Sequence, residues 1–294
     1  MPRLREKRRQ LVATGIAAAV AMLFVFALPA GGQQSKEPSP KEDGVGAASV
    51  TPTQAAFASG AGVSRLEVKV SNHGNMTSFL SPTGSEDVFG GQEGYSLCTG
   101  GGSETVVHGH DTGSVEGGFG SPVIQQPTAG KFPVTITRKT SDGKFELKQV
   151  WANPDFAERE VTVTMTVKNT SGVAVPSVRL SRQGDFDVGA NSPNYGGATR
   201  NSAWVWNDAW GDRQIENIKT GLMVSSGSLA VEHWPEVGLV DDNDWAVYRS
   251  ECVALSGAGT PVAARQDLTL RLTYTLGSLA PGGSKTVKFV YSRI

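Results

Sequence analysis

The chain has 294 residues, with 27 Lys and Arg against 28 Asp and Glu and a formal net charge of -1. That balance gives no electrostatic case for nucleic acid or an anionic membrane surface as a partner. Charged residues make up only 19% of the chain and glycine numbers 36, a mix suited to short strands joined by tight turns rather than to long amphipathic helices.

Arg3, Arg5, Lys7, Arg8 and Arg9 form a basic head, an apolar run covers 11–28, and Ala27-Leu28-Pro29-Ala30 follows. This order predicts an export signal over 1–30 and an extracytoplasmic location, periplasmic or secreted. Two outcomes stay open. The segment is cleaved after Ala30, or it stays as a membrane anchor, because its length approaches the ~20 residues that span hydrocarbon. Arg8-Arg9-Gln10-Leu11-Val12 resembles a twin-arginine signal, against an ordinary basic head with adjacent arginines. Membrane contact would run through this segment alone.

Residues 31–62 hold Pro38, Pro40 and Pro52 among Gly, Ser, Ala and mixed charges, with no apolar period. Such a composition buries too little surface to offset its ordering entropy, which predicts a flexible linker. The folded domain is expected over 63–294.

Period-two alternation dominates that domain. Leu66, Val68 and Val70 are expected to face a core while Arg65, Glu67 and Lys69 face water. Val161, Val163, Met165 and Val167 alternate with Thr162, Thr164, Thr166 and Lys168, and Leu268, Leu270, Leu272, Tyr274 and Leu276 alternate with Thr269, Arg271, Thr273 and Thr275. Val287, Phe289 and Tyr291 close the chain. Ser141-Asp142-Gly143-Lys144 predicts a hairpin between 134–140 and 145–151, since Asp-Gly supplies the positive φ of tight hairpin turns. Asn169-Thr170-Ser171-Gly172 ends one strand, and Pro281-Gly282-Gly283 joins the last two. The predicted class is all-β, an antiparallel β-sandwich.

Cys98 and Cys252 are the two cysteines. In an oxidising compartment a disulfide between them is expected, against two buried free thiols. It would close a loop of about 150 residues and stabilise by up to roughly 5 kcal/mol in the chain-entropy model.

Residues 184–212 form the best candidate ligand site. Asp185, Asp187, Tyr195, Asn207, Asp208, Trp210 and Asp212 lie there among glycines. Aromatic rings stack on sugar faces, and Asp and Asn exchange hydrogen bonds with hydroxyls. Trp204 and Trp206 are expected to share one face and fill the core, leaving Trp210 as the exposed ring. Asp241, Asp242 and Asp244 flank Asn243 in the densest oxygen cluster; it reads as a calcium loop or as an ordinary turn, and no other cofactor is indicated. His108-Gly109-His110-Asp111 offers two imidazoles on one strand face, though no fourth metal ligand is evident.

Two segments carry a family resemblance. The unit 161–172, followed by Val175-Pro176, resembles the strand–turn–strand unit of extracellular immunoglobulin-like and galactose-mutarotase-like sandwiches, and 279–289 resembles their closing hairpin. Asn72-His73-Gly74-Asn75 is similar to the opening of mutarotase-like supersandwich domains. The resemblance implies a fold and not an activity. The mid-chain His that mutarotases use is not found in the region after Asp185-Phe186-Asp187, which has Asn191, Pro193, Asn194 and Tyr195, and no Glu follows Glu251. The expected role is a non-catalytic binding or structural module of the cell envelope, with a polysaccharide or an envelope protein as partner. The alternative is a carbohydrate-active enzyme on a supersandwich fold, either epimerase-like or glycoside-processing.

Overall fold

The computed structural model describes residues 52–81, 93–99, 106–110, 117–185, 194–198, 202–207, 220–226, 232–239, 262–266 and 268–293, all within one unit spanning Gly46–Ile294. The export segment, Asp187, Asp208, Trp210, Asp212, Asp241, Asp242, Asp244 and Cys252 lie outside the described residues. Among the described residues, no helix is long and apolar enough to cross a membrane.

The all-β expectation holds. A three-stranded sheet has the order β1 (Thr53–Ser59), β2 (Leu66–Ser71), β3 (Met76–Leu80). A five-stranded sheet runs β14 (Glu232–Leu239), β16 (Leu268–Leu279), β10 (Val175–Asp185), β4 (Glu93–Cys98), β5 (Val106–His110). A nine-stranded sheet runs β15 (Val262–Gln266), β11 (Asn194–Ala198), β12 (Ser202–Asn207), β13 (Thr220–Ser226), β17 (Ser284–Arg293), β9 (Glu160–Asn169), β8 (Phe145–Trp151), β7 (Val134–Lys139), β6 (Val123–Gln125). The ladders of all three sheets are antiparallel.

Alternation decides which side each strand buries. On β9, Val161, Val163, Met165 and Val167 are buried, and they sit opposite Tyr291, Phe289, Val287 and Lys285 of β17. On β16, Leu270, Leu272, Tyr274 and Leu276 are buried. The five- and nine-stranded sheets meet through these files: the Tyr274 and Phe289 rings pack edge to face at 4.9 Å, and the Tyr274 hydroxyl donates to the Lys288 carbonyl at 2.6 Å. Each such side chain contributes about 1.5–3 kcal/mol by leaving water.

The predicted hairpin forms between β7 and β8. Asp142 Oδ1 accepts from the Thr140 hydroxyl at 2.7 Å and from the Lys144 N–H at 3.0 Å. Gly143 takes φ +71°, which an L side chain resists.

The sequence reading needs three corrections. The end of the 31–62 segment is not linker, because Thr53–Ser59 is β1, laddered to β2 with Ala55 fully buried. Its small residues gave no apolar period, and main-chain pairing carries the strand. The last two strands do not form a hairpin: β16 and β17 lie in different sheets, so Pro281-Gly282-Gly283 hands the chain across the sandwich. Trp204 does not fill the core. Val224 is buried and stands opposite Tyr291 and Ala203, so the Ala203–Val205 file takes the core side and Trp204, half-buried, takes the other.

Asn169 holds the crossing in place. Its Nδ2 donates to the Leu279 carbonyl at 2.9 Å and to the Val173 carbonyl at 2.7 Å, while Oδ1 accepts from the Ser171 N–H. Asn169→Ala leaves a buried carbonyl without its donor, so a loss of about 2 kcal/mol is expected in urea unfolding. A change below about 0.5 kcal/mol would show that the turn holds its shape without the side chain.

Candidate functional site

The five-stranded sheet has two polar arrangements on its opposite faces. They differ in what they can do.

The first lies between the sheets. On β10, Val178, Leu180 and Arg182 point into the core, so a guanidinium stands where the period calls for a hydrocarbon. Arg182 Nε and Nη2 donate to Glu93 Oε1 and Oε2 at 2.7 and 2.6 Å. Arg182 Nη1 donates to Gln149 Oε1 at 3.0 Å, and Nη2 also donates to the Gly74 carbonyl at 3.2 Å. The Tyr291 hydroxyl donates to Glu93 Oε1, and the Met76 N–H donates to Oε2 at 2.7 Å. The guanidinium lies 4.9 Å from the Trp151 ring centroid. One buried ion pair thus joins strands of all three sheets. Gly74, in the 72–75 turn, is required here. Its φ is +87°, and a Cβ would sit 2.3 Å from Gln149 Nε2.

Burial pushes the Glu93 carboxyl above its usual value, against the pull of Arg182 and of its hydrogen bonds from Tyr291 and Met76. Burial likewise pushes the Tyr291 hydroxyl well up, helped by Glu93 and opposed by the charge of Arg182. A raised folded-state pKa leaves stability intact below the unfolded value, near 10 for tyrosine, and removes it as pH climbs past that value. The wild type should therefore lose stability more steeply above about pH 10 than Tyr291→Phe. Parallel melting-temperature profiles from pH 8 to 11.5 check this; equal slopes would mean that Tyr291 ionises as freely in the fold as out of it. The Glu93 carboxylate and the Arg182 guanidinium are met by partners within the cluster, so it is a fastening within the core and not a place for substrate.

The second arrangement is on the other face of the same strand. Ser181 and Gln183 occupy the alternate file of β10 and are 0% and 2% exposed. Ser181 stands opposite Ser96 of β4 and Thr273 of β16, which are 0% and 6% exposed. Gln183 Nε2 donates to Ser96 Oγ at 3.4 Å. The hydroxyls of Ser181 and Thr273 are buried with no hydrogen-bond partner. Leaving such a group unpaired costs about 1–3 kcal/mol, so two of them side by side call for a physical reason. Residues directly opposite across antiparallel strands share a face. By register, the positions of His108, His110, Arg271, Trp234, Glu236 and Asp185 fall on this same face. Neutral hydroxyls and an amide line its centre, and positions of both charge signs and an indole surround them. That composition suits a neutral, hydroxyl-rich ligand better than an ion.

The structure divides the predicted ligand cluster. Asp185 ends β10 opposite Thr269, in the five-stranded sheet. Tyr195, opposite Trp206, and Asn207, opposite Thr220, belong to the nine-stranded sheet and occupy files on opposite sides of it. Ser96, Ser181, Gln183 and Thr273 were not singled out in the sequence. Thr273 was expected to face water, and nothing in a strand's alternation separates a buried polar file from a wet one. Among the described residues, no group of three or more His, Cys, Asp or Glu is placed to hold a metal ion. Cys98, 1% exposed, is disulfide-bonded.

No family model and no curated protein matches the chain. Among solved structures, the chain is similar to a bacterial glucoamylase complexed with acarbose. The TM-score is 0.56 and the identity 12%, over 83% of this chain and 32% of that one. A polysaccharide lyase aligns with a TM-score of 0.40 and 10% identity, over 83% of this chain and 33% of the lyase. The chain thus spans about a third of the length of these structures. The glucoamylase match establishes a shared fold. It also corrects the expectation of a non-catalytic envelope module, since the sandwich is one that a carbohydrate-acting enzyme carries.

Proposed function

We propose that this chain serves carbohydrate-active enzyme chemistry of the glycoside-processing kind, contacting its saccharide on the polar face of the five-stranded sheet. The observation that carries this reading is the pair of buried, partnerless hydroxyls, Ser181 and Thr273, beside Ser96 and Gln183, on a sandwich shared with a protein that binds acarbose. Hydroxyls and amides both donate and accept, which matches the hydrogen-bonding of sugar hydroxyls. Asp185 and Glu236, at positions on that face, are the carboxylates proposed for acid and base roles, since glycoside hydrolysis uses two.

The test has two parts. Titration with acarbose should shift amide resonances of β4, β10 and β16, and Ser181→Val with Thr273→Val should weaken binding at least tenfold. Incubation with maltooligosaccharides should release reducing sugar, and Asp185→Asn or Glu236→Gln should abolish the release. Absence of both saccharide binding and turnover in the wild type would overturn the reading.

Export through residues 1–30 and a Cys98–Cys252 bridge complete the proposal. The bridge is supported by the bonded state of Cys98 and by the chain having one other cysteine. Alkylation of the unreduced, denatured protein should label no thiol; two labelled cysteines would remove the bridge.

A further inference from the structure

On the nine-stranded sheet, the side opposite the buried Val224 carries a second group of positions. Across β11, β12 and β13 the register sets Tyr195, Trp206 and Gly221 in one row and Gly197, Trp204 and Met223 in the next. All six fall on the side opposite Val224, which is 3% exposed and packs inward. Trp204 is half-buried. Successive same-side residues on a strand are about 6.6–6.8 Å apart, and directly opposed residues on neighbouring strands about 4.5–5.5 Å. Three aromatic positions therefore occupy one short strip. Each tryptophan position has a glycine opposite it on one neighbouring strand, Gly197 by Trp204 and Gly221 by Trp206. Asn194–Ala198, Ser202–Asn207 and Thr220–Ser226 contain no Asp, Glu, Lys or Arg.

We infer that this strip is a second saccharide-contact surface, which stacks the apolar faces of pyranose rings in a neutral polysaccharide. The inference rests on the carbohydrate reading above and names a distinct place for the longer chain. Aromatic rings offer flat apolar area with a polar edge, and stacking on sugar C–H faces needs that shape. The absence of charge across the three strands argues against an anionic polymer or an anionic lipid surface, because both are held through Lys and Arg. A strip of three aromatic positions beside glycines is also narrow, which fits one polysaccharide chain better than the broad apolar patch of a protein interface.

The experiment uses the full chain and two probes, starch granules for the strip and acarbose for the polar face. Wild type should co-sediment with granules. Trp204→Ala with Trp206→Ala should lower granule retention at least tenfold while leaving the acarbose dissociation constant within twofold. Ser181→Val with Thr273→Val should do the reverse. Met223→Glu, which puts a charge on the strip without removing a ring, should also lower retention, and it keeps the test decisive if the double tryptophan variant fails to fold. Wild-type retention by both Trp204→Ala/Trp206→Ala and Met223→Glu would overturn the inference, as would a wild type that binds acarbose and no granules. A wild-type dimer that Met223→Glu converts to monomer would make the strip a self-association surface and overturn it equally. Loss of acarbose binding alone would count against the polar face and leave the strip standing.

Discussion

Arg182→Met will lower the free energy of unfolding by about 3–5 kcal/mol, the largest effect expected of any single charge removal in this chain. The mechanism is desolvation. Glu93 is fully buried, and without the guanidinium its carboxyl keeps only the Tyr291 hydroxyl and the Met76 N–H as donors. Removing one partner of a buried pair strands the other in low dielectric, which costs more than the pair itself contributes. The double variant Glu93→Leu/Arg182→Met should therefore be less destabilised than Arg182→Met alone. A positive coupling of that kind, read from a double-mutant cycle in urea, is the expected result. Simple additivity would mean that the pair is not coupled in solution as it is in the structure.

Trp151→Ala will cost a similar amount, about 3–5 kcal/mol, because it empties a large site in the core. Trp151 is fully buried, its ring stacks on Tyr291 at 6.1 Å, and it lies under the Arg182 guanidinium. Trp204→Ala should cost only about 1 kcal/mol, since its ring is half-buried on the outward side. The two variants differ only in which tryptophan is lost, so a thermal melt of each against wild type checks the assignment of faces. Equal losses would place Trp204 in the core and remove the strip on which the second saccharide surface stands.

The contrast between these tryptophans shows what the sequence could reveal. Alternation identified the buried files of β2, β9, β16 and β17, because apolar side chains recur every second residue wherever one face is buried. It could not say which side of β12 is inner. In Ser202–Asn207 the two tryptophans alternate with Ala203 and Val205, and both files are apolar, so period alone has no sign. Register against Val224 and Tyr291 supplies the sign, and register comes from pairing across more than sixty residues of chain.

The ion pair was legible in part. Arg182 follows Val178 and Leu180 at core spacing, and a charge at such a position calls for a buried partner. Glu93, distant in sequence, could not be matched to it without the sheet order β16-β10-β4. The 72–75 turn is similar to supersandwich openings. Its role is physical: the Gly74 carbonyl accepts from Arg182, and the His73 carbonyl accepts from Tyr95 and Gln149. The polar file of Ser96, Ser181, Gln183 and Thr273 left no mark in the sequence, because serine and threonine in a strand ordinarily face water.

The central claim is that this polar file receives a saccharide. Isothermal titration of the wild-type chain with acarbose, alongside Ser181→Val/Thr273→Val, tests it most directly. The account predicts saturable binding in the wild type, weakened at least tenfold in a double variant that melts within a few degrees of it. Undiminished binding by that variant, with its fold intact, would contradict the account, because the two orphaned hydroxyls would then have no part in holding the sugar.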